Sequence, residues 1–239
     1  MRFSDELSDA QRMRLHSETL YRFDANGRLR TINEPGFPNA PRFWMGRTRE
    51  GNQWRFRHDL PPATLAALEE LCQAEPVPTD LQQPLQCETA IRAVLAAQAP
   101  IRSEYRGPAY WISENTEPSS QVTLISGTNA ELLRPHFADL LEPDAYHQLG
   151  PVAAVITDGC AVAVCFCSRI PGRATEAGAN THPDYRRRGY VSAAVASWAA
   201  AVYQQDCLPL YSTSWENLAS QGVARKLGMR RYGEDWSVL

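Results

Sequence analysis

Three consecutive arginines and a glycine, Arg186-Arg187-Arg188-Gly189, stand between an apolar, strand-like run ending at Thr181 and an alanine-rich helical pattern from Val191 to Val202. Pro183 breaks the first run, and Tyr190 and Ser192 lie where the helix begins. A strand, a basic turn with one glycine and a helix N-terminus together make an anion site. The amides of the first helical turn have no partner inside the helix, and the positive end of the macrodipole lies there. Glycine lets a ligand approach the backbone closely. Taken alone, the same four residues favour a solvated turn, so the surrounding elements must decide.

The chain has 239 residues, 44% of them apolar and 21% charged, which suits a globular protein of one or two domains. Net charge is −3 and the pI is about 6.0, so there is no global pull toward nucleic acid or an anionic membrane. Nearly all the basic residues are arginine; Lys226 is the only lysine. No run of about 18 apolar residues occurs, and Met1 to Glu6 lack the basic-then-apolar order of a signal peptide, so a cytoplasmic location is expected. The cysteines (72, 87, 160, 165, 167 and 207) sit mostly in apolar runs, as small core residues do. Cys165 and Cys167 share one strand face, but no histidine or second close pair completes a zinc pattern, and neither a metal site nor disulfides are expected.

Ser8 to about Thr19 reads as a short helix of weak periodicity. Two hairpins follow. One turns at Asp24-Ala25-Asn26-Gly27, and the other joins Phe43-Trp44-Met45 to Trp54-Arg55-Phe56-Arg57 with its arginines on the wet face. Helices are expected from Pro61 to Pro76, with Leu65, Leu68 and Leu71 on one face, and from about Glu88 to Ala97 on Ile91, Val94 and Leu95. A strand over Ala109 to Ile112 follows Gly107-Pro108. No catalytic constellation stands out in this part. Beyond it, Val122 to Ile125 is a strand, and Thr128-x-x-Glu131 has the spacing of a capping box opening a helix through Leu132, Leu133 and Phe137. Val152 to Ile156 and Ala161 to Cys167 form a hairpin around Asp158-Gly159, apolar on both faces and so central to a sheet. Ala174 to Thr181 is the strand entering the arginine turn, and Leu208 to Ser212 is a further short strand. A last helix is capped near Asn217 with Val223, Ala224 and Leu227 inward, Gly228 lies just past its end, and Met229 to Leu239 is a final strand.

This order, with its motifs, resembles the GCN5-related N-acetyltransferase (GNAT) family over residues 120–239. The family's Arg/Gln-x-x-Gly-x-Gly/Ala signature is matched by Arg186 to Val191, and its strand-then-x-Pro-x-Tyr preamble by Thr181 to Tyr185. A later Asn-x-x-Ser and Lys-Leu-Gly-Met pair appears as Asn217 to Ser220 and Lys226 to Met229. The resemblance implies an α+β fold with a mixed central sheet flanked by helices over residues 111–239, and the residue pattern before it reads as a smaller α+β domain over 1–110 of two hairpins and two helices. It implies acetyl-CoA as donor, no metal, and a small-molecule or peptide amine as acceptor. Arg186, Arg187, Arg188, Gly189, Tyr190, Val191 and Ser192 would hold the pyrophosphate, with Asn217 and Ser220 also at the cofactor. The pantetheine arm would pair as an added strand with Ala179, Asn180 and Thr181, where an exposed amide would stabilise the oxyanion.

An amine must be neutral to attack, and alkyl ammonium groups titrate near pH 10, so a base is useful. Glu176 stands on the strand before the turn, where many family members carry such a carboxylate. Its small neighbours Ala174, Ala177 and Ala179 leave it room; the alternative is a plain exposed strand glutamate. Val191 stands where the family has Gly or Ala, and Ala224 stands where many relatives place a tyrosine acid. Ser220, Tyr211 and Tyr232 are the candidate substitutes. A thiolate with a pKa of about 8 to 9 can also leave without full protonation. Two readings follow: an N-acetyltransferase acting by direct attack on the thioester, or an acyl-CoA-binding sensor without turnover. Nucleic-acid binding by the arginine and aromatic hairpins lacks a basic balance. Residues 1–110 would shape the acceptor site or an oligomer interface, as in a homodimer.

Overall fold

The computed structural model of the chain describes residues 6–142 and 149–239; Met1 to Asp5, read above for a leader, fall outside them. Helix α1 (Asp9–Leu20) opens on a capping box in which Ser8 and Gln11 satisfy each other's backbone donors. It runs into the two-stranded hairpin β1 (Tyr21–Phe23) and β2 (Leu29–Ile32), whose turn is held by Asp24 Oδ1 accepting the amides of Asn26 and Arg28. Strands β3 (Phe43–Thr48) and β4 (Gly51–Phe56) form the second hairpin. Helices α2 (Pro62–Ala74) and α3 (Glu88–Gln98) follow, inserting Leu68, Cys72, Ile91 and Leu95. The remaining elements are β5 (Glu104–Trp111), β6 (Val122–Ile125), β7 (Val152–Thr157), β8 (Cys160–Cys167), β9 (Ala174–Thr181), α4 (Tyr190–Tyr203), β10 (Leu208–Ser212), α5 (Leu218–Lys226) and β11 (Arg230–Val238).

Nine strands make one mixed sheet in the order β4-β3-β11-β5-β10-β9-β8-β7-β6. The C-terminal strand β11 lies between β3 and β5, so the second N-terminal hairpin is hydrogen-bonded into the same sheet as the C-terminal half. One face is covered by α1, with Met13, Leu15 and Leu20 packed on Trp44, Ala174, Leu208, Leu210 and Tyr232. Close approach there needs glycine: a Cβ on Gly46 or Gly233 would come within 2.4 Å of the Met13 side chain. The other face is covered by α2 and α3 over β3 and β11, and by α4 and α5 around Trp198 over β8 and β10.

Three expectations need correction. Thr128 to Phe137 does not form an α-helix. Two short 3₁₀ turns, Ala130–Leu133 and Ala138–Leu141, stand there, with no side-chain cap on the first. Glu131 pairs with Arg134 instead of reaching back, and Asn129 Oδ1 accepts the Ser126 amide. The hairpin's arginines are also not all on a wet face: Arg47 in β3 is 2% exposed and its guanidinium lies 2.6 Å from Glu234. Lastly, β5 begins at Glu104, ahead of Gly107-Pro108, because pairing with β11 extends it. Among the described residues no helix is long and apolar enough to cross a membrane, and no group of three His, Cys, Asp or Glu could hold a metal ion.

Candidate functional site

The sheet splits at β9 and β10. They pair in parallel only from Ala174↔Leu208 to Glu176↔Leu210. Beyond that point β10 stays with β5, through Tyr211↔Tyr110 and Ser212↔Ala109, while β9 stays with β8 as far as Thr181↔Ala163. The hydrogen bonds Ser168 N–H to Glu176 O (2.8 Å) and His182 N–H to Val162 O (2.9 Å) show that even-numbered residues of β9 bond to β8. Alternation then turns the amides and carbonyls of Ala179 and Thr181 toward the side that β10 has left. Asn180 Oδ1 accepts the Thr181 amide at 2.8 Å, and Ala179 is exposed. The cleft therefore has one bare strand edge.

The arginine turn closes one end of this cleft. A single 3₁₀ turn, Pro183–Tyr185, leads from β9 into it. Arg187 adopts φ 62°, and Gly189, the N-cap of α4, adopts φ 81°, which an L side chain rarely takes. Gly189 supplies no side-chain cap, and the first bond from behind it is Ala193 N–H to Gly189 O, so Tyr190, Val191 and Ser192 keep the free amides of the first turn. Arg186 donates to Thr181 O and Arg188 to Asp184 O, which holds both side chains beside the turn, and Arg188 lies over the Tyr185 ring at 5.1 Å. Val191 packs against the Trp198 cluster.

One residue beside the turn was not picked out from the sequence as a candidate for the site. A Cβ on Gly189 would lie 2.6 Å from Lys226 Nζ, so the only lysine of the chain reaches from the end of α5 over the turn. Its Lys-Leu-Gly context marked the helix end, and its being the one lysine was the available signal. Asn217 and Ser220 have local partners: Asn217 Oδ1 accepts the Ser220 amide as the cap of α5, and Ser220 Oγ lies 2.6 Å from the Tyr211 hydroxyl.

At the split itself, Glu176 faces α1 and not solvent. It is 4% exposed, and neither carboxylate oxygen has a hydrogen bond of good geometry. Burial pushes its pKa from 4.5 up to about 7, opposed by nearby Ser212 and by the charge of Arg169. It lines a cavity of about 380 Å³ with Tyr21, Tyr105, Arg169, Ser212 and Asp235. Burial likewise pushes Asp235 up to about 8, against a hydrogen bond from Trp44 Nε1 at 3.2 Å. Leu20, Tyr21, Ile32 and Pro41 form the N-terminal wall of this cavity.

The three candidate acids separate. Tyr211 is 4% exposed on the α4 side of the cleft, and burial pushes its hydroxyl up to about 12. Ser220 is its hydrogen-bond partner. Tyr232 lies in the core under α1, bonded at 2.6 Å to His16 Nδ1, whose own pKa burial lowers to about 3.

A model of the GNAT acetyltransferase family matches residues 122–238, the stretch that carries the split, the turn and Lys226. The C-terminal half of this chain belongs to the GNAT acetyltransferase family. No curated protein matches the chain. Among solved structures, a GCN5-related N-acetyltransferase-like protein from Streptococcus suis 89/1591 aligns with 97% of this chain and 100% of its own, at 14% identity and a TM-score of 0.49. A GNAT-family protein from Novosphingobium aromaticivorans DSM 12444 aligns with 58% of this chain at 17% identity and a TM-score of 0.47; this chain spans 65% of that one. An aminoglycoside N-acetyltransferase in complex with CoA aligns with 46% of this chain and 90% of its own, at 22% identity and a TM-score of 0.35. These likenesses are too distant to carry further argument, and the family assignment stands on the match over residues 122–238.

Proposed function

We propose that this GNAT acetyltransferase moves an acetyl group from acetyl-CoA to an amine bound in the 380 Å³ cavity, with Glu176 as the base. The observation that carries this reading is the coincidence of three features at one split in the sheet. A bare strand edge, a basic helix N-terminus and a buried, unpartnered carboxylate all meet where β9 leaves β10.

The residues present fit the donor. Free amides of Tyr190 to Ser192, the left-handed turn at Arg187 and Gly189, and the cations Arg186, Arg187, Arg188 and Lys226 suit a diphosphate. Ala179 and Thr181 suit an amide-bearing arm laid alongside β9, with Asn180 releasing the Thr181 amide when the arm binds. Acetyl-CoA supplies the activated acyl group: a C–N bond forms, the C–S bond breaks, and the electron pair leaves on sulfur. Glu176 takes one of the two protons an ammonium must shed. With a pKa of about 7 it is partly ionised at neutral pH, and its buried setting shortens the gap to an amine near 10.

The Tyr211–Ser220 hydroxyl pair lies on the helix side of the same cleft. A phenol held near 12 keeps its proton against a thiol of about 8.5, so Tyr211 acts as a hydrogen-bond donor to developing thiolate charge, not as a full acid. Residues 1–110 contribute the outer cavity wall through Leu20, Tyr21, Ile32 and Pro41. The direct test is thiol release from acetyl-CoA with a panel of amines, using wild type and Glu176→Gln. Acceptor-dependent release that the variant loses supports the reading. Tight CoA binding with no release across the panel would make the protein a sensor.

A further inference from the structure

The acceptor cavity is more acidic than acetyl transfer to a simple amine requires. One carboxylate is enough to take a proton from an ammonium, yet three line this cavity: Glu104, which Arg92 and the Trp236 indole already engage, and Glu176 and Asp235, which keep unengaged oxygens. Glu176 stands at the β9–β10 split and Asp235 on β11. They are 4% and 1% exposed. Both oxygens of Glu176, Oδ1 of Asp235 and the Tyr105 hydroxyl, all on the cavity wall, lack a hydrogen bond of good geometry, with Ser212 the polar group nearest Glu176 and Tyr105. Buried polar atoms are ordinarily paired, and buried charges are paired with an opposite charge. Among the described residues one cation lines the cavity, Arg169, and it is engaged through one terminal nitrogen while its Nε is buried without a partner. It lies 3.0 Å from Glu34 and donates to Ser168 O. The lining therefore presents two carboxyls with unengaged oxygens, Glu176 and Asp235, several tyrosine and serine hydroxyls, and a single cation, Arg169, paired with Glu34.

We propose that the acceptor is a compact diamine, its reacting nitrogen held at Glu176 and its second ammonium held by Asp235. This deepens the transferase reading and rests on it. Asp235 is a binding residue: Trp44 Nε1 fixes one of its oxygens and leaves Oδ1 for the ligand. Tyr105 and the serine hydroxyls supply further acceptors for ammonium protons. An ω-amino acid of the same length is disfavoured because its carboxylate would meet the Asp235 carboxyl, and the Arg169 guanidinium is already paired with Glu34. A monoamine would leave Asp235 unpaired.

The test compares acceptors of equal length with the full chain: 1,4-diaminobutane and 1,5-diaminopentane against butylamine, pentylamine and 4-aminobutyrate, each with saturating acetyl-CoA. The expected result is a kcat/KM for the better diamine at least about tenfold above its monoamine. Asp235→Asn, which keeps an oxygen for Trp44, should raise the diamine KM about tenfold and lower the diamine-to-monoamine ratio of kcat/KM by about the same factor. Diamine and monoamine rates within threefold of each other, or 4-aminobutyrate as the preferred acceptor, would overturn the proposal. So would an Asp235→Asn protein that keeps the wild-type ratio. Should that variant fail to fold, the wild-type ratio decides. Should no amine release thiol, calorimetric titration of the CoA-loaded protein decides instead. Diamine binding at least about tenfold tighter than monoamine binding would keep the diamine site while ending the transferase reading, and equal or absent binding would end both.

Discussion

Replacing Glu176 by glutamine should make the protein more stable and nearly inactive, and both effects follow from one buried carboxyl. Its pKa is raised from 4.5 to about 7 on folding, because 4% exposure leaves the charge poorly solvated. Between those two values the native state holds a proton that the unfolded chain has lost. The associated stability is fully present below pH 4.5 and is lost as pH rises through 7. At 1.36 kcal/mol per pKa unit, the loss is on the order of 3 kcal/mol by pH 8. Glutamine keeps the shape and cannot ionise, so the variant should unfold at higher urea than wild type at pH 8 and at about the same urea at pH 4.5. Activity should move the other way. General-base catalysis contributes about 10²–10⁴-fold, so kcat should fall by that factor. The wild-type kcat/KM should drop about tenfold per unit as pH falls below about 7, and the variant's residual rate should lack that limb. Stopped assays of thiol release from pH 5.5 to 9, with urea melts on the same samples, check both arms. A variant within threefold of wild-type kcat, or with an unchanged pH limb, would refute the assignment of Glu176 as base.

Three further outcomes are expected. Lys226→Ala removes a cation held over Gly189 and should weaken CoA binding about tenfold while leaving the urea midpoint within error; calorimetry of CoA binding checks it. Tyr211→Phe should lower kcat by about tenfold or less, because its loss removes a hydrogen bond and no proton donor; steady-state kinetics with one acceptor measures this. Glu234→Gln breaks a buried junction in which one carboxylate serves Arg47, Arg106 and the Trp215 indole. It should cost about 3–5 kcal/mol in urea unfolding by leaving Arg47 buried and unpaired.

The strand, turn and helix around Arg186 to Ser192 were legible because each step is local. An apolar run, a proline, a glycine and an alanine-rich helix follow within about twenty residues. Asn217 was legible as a cap for the same reason. The cavity was not. Asp235 and Tyr105 are far apart in sequence from Glu176 and meet it only because β11 inserts between β3 and β5, a pairing that no local pattern announces. The same insertion hid Arg47, whose partner Glu234 lies 187 residues away. The Thr128 region failed for a different reason. Glu131 had a nearer partner in Arg134, which removed the carboxylate that a capping box needs. Leu208 to Ser212 was legible as a short strand, but no local pattern could say that Ser220 would meet Tyr211.

The central claim is that the arginine turn and the open edge of β9 hold an acyl-CoA. Calorimetric titration of CoA into wild type, Arg188→Glu and Gly189→Glu tests it most directly. Arg188→Glu should weaken binding by about two orders of magnitude, since it replaces an attracting charge with a repelling one beside the free amides of α4. Gly189→Glu adds a side chain 2.6 Å from Lys226 Nζ at φ 81° and should abolish measurable binding while the urea midpoint shows a folded protein. Wild-type affinity for CoA in either folded variant would contradict the account.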